Sequence, residues 1–264
     1  MQNSSSGYAS VNGLKMYYEI HGKGTPLVLI HGAGSTIQTS FGRVIHSFAK
    51  ERQVIAVELQ GHGHTPDTNR PWTFEQEADD VAGLLKYLKI ERADFFGFSN
   101  GGNTTMQIAI RCPDLVRKLV LGSTFFKRDG LYLTFWESLN HSALSDMPQQ
   151  LKDAYTKVAP EPNDLPKMYE KDKKRMLEFV DWKAEDIQSI NAPALIIVGD
   201  EDVVRPEHAV EMFRLLPHAR LSILPGRHGT YIGEVASGIE HSKISELVVS
   251  IIEEFLNELM SEND

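Results

Sequence analysis

The chain has a single cysteine, Cys112, among 264 residues. One thiol cannot close a disulfide within the chain, so a disulfide-stapled fold is excluded and stability must come from a packed core, for which this length is ample. Placed in IAIRCPDLV at an expected helix end, Cys112 reads as a packing residue. Positive charge is also scarce: 27 Lys and Arg face 36 Asp and Glu, a formal charge of −9. That balance argues against nucleic acid as the main partner, because phosphate binding takes clustered cations. No run approaches the ~18 apolar residues of a membrane span. The first residues, MQNSSSGYASVNG, have neither the basic start nor the apolar stretch of a secretion signal. The expectation is a cytoplasmic globular protein, monomer or homodimer, with no membrane or nucleic-acid partner, disordered only at its polar ends.

What the chain does have is an alternation of short apolar runs and helical patterns. Leu14–Ile20, Pro26–Ile30, Val54–Leu59, Ala93–Phe98, Lys118–Thr124, Ala194–Val198 and Arg220–Leu224 read as strands, several ending in glycine. Apolar runs of this length suit strands buried on both faces of a parallel sheet. Helical spacing runs through Ser40–Lys50, Thr104–Ile110, Pro206–Leu216 and Ile244–Leu259. Another helix begins after Thr73, where T-x-x-Q predicts a capping box with Gln76. The expected class is α/β, a mostly parallel central sheet flanked by helices. The rhythm stops over residues 125–190, a segment rich in aromatics, charge and proline, which reads as an inserted helical subdomain between core segments 1–124 and 191–264. Within it, the run Lys171–Arg175 is expected to be a solvated helix face. In such sheets, active residues gather in loops beyond the carboxyl ends of strands.

The chemistry-bearing residues fall there. Gly97-Phe98-Ser99-Asn100-Gly101 is a G-x-S-x-G between an expected strand and helix. A sharp turn at that point would expose the Ser99 hydroxyl against a helix start. A serine hydroxyl needs a base, and His228, just past the Arg220–Leu224 strand, is the candidate. The histidine needs a carboxylate to set its tautomer. Asp202, three residues beyond Gly199, is preferred over Asp200, which is expected to brace the loop backbone. Donors for a developing oxyanion are expected from the backbone amides of Asn100 and of Ala33 in His31-Gly32-Ala33-Gly34, with Gly34 in reserve. His31 reads as a loop brace. Gly34, Phe125 and Trp136 are the expected substrate contacts. His62 and His64 form H-x-H, but Pro66 and Asp67 stand where further metal ligands would be needed, so no metal is expected.

Taken together, LVLIHGAG, VIAVELQGHGHT, DFFGFSNGG, ALIIVGDEDVVRP and ILPGRHG make the chain similar to the α/β-hydrolase fold superfamily over nearly its whole length. The resemblance implies a Ser-His-Asp triad of Ser99, His228 and Asp202, no cofactor, and a helical cap inserted after the sixth strand. It implies hydrolysis of a small carboxylic ester or lactone. Three positions depart from the common pattern: Arg227 before His228, Glu58 where many members carry Asp, and Asn100 where a hydrophobic residue is common. Asn100 could lend a polar group near the oxyanion, and Arg227 could affect loop geometry or substrate charge preference. The superfamily's dehalogenases and epoxide hydrolases use an Asp nucleophile, which Ser99 argues against. Its carbon–carbon bond hydrolases often carry a proline in the oxyanion loop, which HGAGSTIQ lacks. Cofactor-free haloperoxidases share the triad, and a small-molecule receptor on the same scaffold is the alternative outside catalysis.

Overall fold

The computed structural model describes residues 4–238 and 242–258. Eight strands form one sheet in the order β1-β2-β4-β3-β5-β6-β7-β8. They are β1 (Ser4–Val11), β2 (Leu14–His21), β3 (Thr25–Ile30), β4 (Arg52–Val57), β5 (Ala93–Phe98), β6 (Val116–Gly122), β7 (Ala194–Gly199) and β8 (Ala219–Leu224). Strand β2 runs antiparallel to both β1 and β4, and every other pair is parallel.

The central strands are buried on both faces, as their continuous apolar character demands. In β3, Val28 and Ile30 pack on one side of the sheet while Leu27 and Leu29 pack on the other. The helices are α1 (Ile37–Phe41), α2 (Ile45–Phe48), α3 (Phe74–Tyr87), α4 (Asn100–Arg111), α5 (Leu133–His141), α6 (Gln149–Val158), α7 (Leu165–Leu177), α8 (Ala184–Gln188), α9 (Pro206–Leu215) and α10 (Ile244–Asn257). Helices α3, α4, α8 and α9 cover the first face, and α1, α2 and α10 the second.

Several expectations change in detail. The polar N-terminal end, read as disordered, forms β1 from residue 4 on, and its serines are exposed while Ala9 and Val11 are buried. Backbone pairing along all of β2 holds this edge strand, so it needs little apolar alternation. The Ser40–Lys50 pattern is two short helices, because the chain turns at Gly42–Val44. Thr73 does cap α3, accepting from the Gln76 amide at 3.1 Å, but Gln76 Nε2 turns to Asp80 rather than back to the cap. Cys112 is the C-cap of α4, and burial pushes its thiol pKa up. Leu259, the expected end of the last helix, lies outside the described residues.

Between β6 and β7 no strand forms, and α5 to α8 occupy the interval. Part of this segment has a small core of its own, in which Met147, Leu151, Tyr155, Leu165 and Met168 pack with Trp72. No helix among the described residues is long and apolar enough to cross a membrane.

Candidate active site

Strand β5 ends at Phe98, and Ser99 takes φ +55° and ψ −125° as the N-cap of α4. A non-glycine residue in that region is strained and persists only when its surroundings hold it. Here Ser99 donates its amide to Gly122 O at 2.7 Å and accepts from the Gly102 amide at 2.8 Å. The flanking glycines have no alternative: a Cβ on Gly97 would strike the Gly101 carbonyl, and one on Gly101 would strike the carbonyls of Ile30 and His31.

His228 and Asp202 reach this serine from the ends of β8 and β7. His228 Nε2 lies 3.0 Å from Ser99 Oγ, and Nδ1 lies 2.7 Å from Asp202 Oδ1. Asp202 is buried and further held by the Val204 amide at 3.2 Å and the Ser123 hydroxyl at 2.6 Å. Tyr231 OH lies 2.9 Å from Ser123 Oγ; since Ser123 donates to the carboxylate, Tyr231 donates to Ser123. Burial lowers the pKa of the His228 imidazole, but the charge and hydrogen bond of Asp202, helped by the charge of Glu234, outweigh it and leave it above its ordinary 6.5. Burial would raise the pKa of Asp202, yet the facing imidazole and hydrogen bonds bring it down. Asp200 points elsewhere and accepts from the Gly226 amide at 2.8 Å, bracing the β8 loop. Arg227 is exposed beside Glu201 and does not reach the site.

Ser99 opens on a cavity of about 430 Å³. Its lining includes Ala33, Gly34, Asn100 and His228 from the core, with Phe135, Leu139, Met147, Met168 and Met176 from the β6–β7 segment. Among the described residues no protein group takes the amide of Ala33 or Asn100, and both remain available as donors. Gly34 is different. It lines the cavity, but its amide is already given to Asp172 Oδ2 at 2.7 Å, so it is no reserve oxyanion donor. Phe125 and Trp136, expected at the substrate, are not in the lining: they pack edge to face with each other, and Phe125 with Phe179, in the main core. The Trp136 ring nitrogen donates inward to Arg128 O at 2.8 Å. The segment's thioether and leucine side chains, rather than these aromatics, meet the cavity.

The largest correction concerns Lys171–Arg175. Asp172 and Arg175 are buried, not solvated. Asp172 accepts from His62 Nε2 at 2.8 Å and from Arg175. Arg175 also pairs with Glu77, which accepts from the Thr104 hydroxyl on α4 at 2.6 Å. Lys171 reaches Asp67 at 2.7 Å, and Lys173 donates to Ser142 O at 2.6 Å. Burial would raise the Asp172 pKa, but His62 and Arg175 hold it at about 2. The signal was in the spacing: Met168, Asp172 and Met176 recur every four residues and share one face of α7. His62 and His64 face different partners, Asp172 and Glu58. His31, whose pKa burial drives down to about 3, sits between Gly32 O at 2.7 Å and the Leu59 amide at 3.1 Å, bracing the loop as a neutral ring. Elsewhere, Asp129, His208 and Glu211 converge, but Lys127 already bridges the two carboxylates.

The sequence profile of the alpha/beta hydrolase fold family matches residues 25–165, more than half of the chain. The chain belongs to the α/β-hydrolase superfamily. Among named relatives, the 2-hydroxy-6-oxo-2,4-heptadienoate hydrolase of Pseudomonas putida is 28% identical over 246 residues, covering 80% of this chain and 84% of that protein. The human serine hydrolase BPHL is 25% identical over 247 residues, covering 86% and 81%. In structure, the enol-lactonase of Burkholderia xenovorans superposes with a TM-score of 0.74 at 25% identity, covering 95% of this chain and all of that one. A serine hydrolase involved in carbazole degradation superposes with a TM-score of 0.78 at 22% identity, covering 96% and 99%. The family match and the names of these relatives together make this protein a hydrolase; those names include an enol-lactonase and a dienoate hydrolase.

Proposed function

We propose that this hydrolase cleaves a small, uncharged carboxylic ester or lactone through an acyl-enzyme on Ser99. The reading is carried by one observation: an unbroken hydrogen-bond chain from Asp202 through His228 to a strained Ser99 that opens on an apolar cavity. With Asp202 accepting from Nδ1–H, Nε2 is left to take the Ser99 proton as Oγ attacks the carbonyl carbon. The amides of Ala33 and Asn100 would then hold the oxyanion. The imidazolium returns its proton to the departing alkoxide, and a water activated by the same nitrogen releases the acid. The helices between β6 and β7 act as a cap that walls the cavity. Every step uses protein groups and water alone.

The charge of the cavity favours a neutral substrate. Asp146, Asp172 and Glu234 line it, against one lysine, Lys173, already bound to the Ser142 carbonyl. An anionic dienoate of the kind named for the Pseudomonas putida relative would face the carboxylates of Asp146 and Glu234 against Lys173, the charge of Asp172 being answered by Arg175 and His62. Carbon–carbon bond cleavage is therefore the second reading, supported by the relatives alone.

The test is labelling with a fluorophosphonate and peptide mapping, with turnover of p-nitrophenyl esters of rising chain length, a lactone panel and a ring-fission dienoate. Label on Ser99, lost in Ser99→Ala, with ester or lactone turnover above that of the dienoate is the expected result. Absence of label at Ser99 overturns the mechanism, and preferential cleavage of the dienoate overturns the substrate class.

A further inference from the structure

Asp172 belongs to α7, in the segment between β6 and β7, yet its carboxylate is spent on the core. One oxygen, Oδ2, accepts from the Gly34 amide at 2.7 Å and from His62 Nε2 at 2.8 Å, while Oδ1 takes Arg175. His62 is itself fixed: its Nδ1 donates to Gln60 O at 3.0 Å, and with Nε2 on a carboxylate both ring nitrogens face acceptors. Arg175 continues the chain to Glu77 on α3 and Thr104 on α4, the helix that Ser99 caps. Asp172, His62, Gln60, Arg175, Glu77 and Thr104 are buried, and Gly34 is half-buried.

The position of Gly34 gives this contact its consequence. Gly34 follows Ala33, whose amide has no partner among the described residues, and holds φ +64°, a conformation that the loop reaches only with glycine. Its amide proton is committed to Asp172. The Ala33–Gly34 peptide is thereby held from α7, and through the Ala33 Cα it restrains the neighbouring Gly32–Ala33 peptide, whose amide no described residue takes and which lines the same cavity as Ser99. A charge-assisted hydrogen bond of this kind is short and directional, and oxyanion donors act only when held in place before charge develops.

We infer that Asp172 is a positioning residue for the oxyanion loop, so that the segment between β6 and β7 builds part of the catalytic geometry and not only the cavity wall. This rests on the ester-hydrolase reading above. On this inference the docking of α7 and the competence of the Ala33 donor are one event: a substrate that displaces α7 also loosens the loop that must stabilise its transition state.

The experiment compares wild type, Asp172→Asn and Lys167→Ala with p-nitrophenyl butyrate, with active sites counted by fluorophosphonate titration. Lys167 ties the same helix to Asp67 without touching the loop, so Lys167→Ala controls for a loosened helix. Asp172→Asn is expected to lower kcat per titrated site by about 10- to 100-fold with KM within about threefold, and to slow phosphonylation of Ser99 in parallel, while Lys167→Ala stays near wild type. A kcat per titrated site within about twofold of wild type overturns the inference; so does a loss confined to the number of titratable sites. If Asp172→Asn does not fold, the Gly34 amide of the ¹⁵N-labelled wild type decides. A downfield, slowly exchanging proton supports the inference, and exchange at the rate of an open loop overturns it. A wild type that neither labels at Ser99 nor turns over esters overturns this inference and the ester-hydrolase reading together, whereas an active wild type with an unaltered Asp172→Asn overturns this inference alone.

Discussion

Among the described residues, two hydrogen-bonded aspartate–histidine pairs, each with a buried carboxylate, are put to opposite uses. In the first, Asp202 faces His228 Nδ1, and Nε2 looks onto the hydroxyl of Ser99, a group that can give up a proton. In the second, Asp172 faces His62 Nε2, and Nδ1 looks onto the carbonyl of Gln60, a group that can only accept. Both imidazoles have raised pKa values, because in each the carboxylate's field outweighs the cost of burial. The pairs differ in their third partner. A hydroxyl lets the ring work as a base; a carbonyl pins the proton on the ring and turns the pair into a strut. Proximity of Asp and His is therefore no mark of catalysis by itself. What the remaining nitrogen meets decides it.

The comparison can be broken most severely at Ser99. Ser99→Ala is expected to lower kcat by about 10⁶-fold, leaving the residual rate that the oxyanion donors and binding supply; steady-state ester turnover measures it, and a loss under about tenfold would mean the hydroxyl is not the attacking group. Next is Asp202→Asn, for which a drop of about 10⁴-fold is expected, since the amide favours the wrong tautomer of His228. The same variant sharpens the electrostatic side of the comparison. In wild type, kcat/KM is expected to rise with pH through the raised pKa of His228, at a midpoint above 6.5, because the neutral ring is the base. Removing the Asp202 charge should move that midpoint down.

His62→Ala probes the other pair and should read out mainly in stability. Leaving Asp172 with an unfilled partner in the interior is expected to cost about 3 kcal/mol, seen as a lower denaturant midpoint, with kcat per active site changed by no more than about tenfold. The sign of the pH dependence follows from the raised pKa of His62: its contribution is complete below 6.5 and is lost as pH rises through the folded value. The stability gap between wild type and His62→Ala should therefore narrow as pH increases. The smallest effect belongs to Asp200→Ala, which removes one exposed brace to the Gly226 amide. It should cost about 1 kcal/mol or less, and a loss of activity approaching that of Asp202→Asn would reassign the acid.

Much of this was legible because it is local. The runs that became β3 and β5, and the G-x-S-x-G at the turn after β5, carry their own instruction: a continuous apolar run in one case, glycines demanded by close backbone approach in the other. Strand β1 was not legible, since a run of exposed serines held by backbone pairing leaves no apolar pattern. The run Lys171–Arg175 was misleading for a related reason. Five charged residues in a row look solvated, and only the four-residue recurrence of Met168, Asp172 and Met176 shows that one of those charges lies on an apolar stripe. Phe125 and Trp136 could not be divided between core and cavity, because an aromatic ring gives the same sequence signal in either place.

The sequence by itself determined the alternation of strand and helix, the turn that presents Ser99, and the set of acids and histidines following strands. The tertiary structure decided which acid each histidine meets. Asp172 and His62 stand 110 residues apart, and His228 and Ser99 stand 129 apart. Only the order of strands in the sheet and the docking of α7 bring such groups within hydrogen-bond reach. A hydrogen bond loses its strength within a fraction of an ångström, whereas the patterns that specify strands and helices tolerate much looser placement.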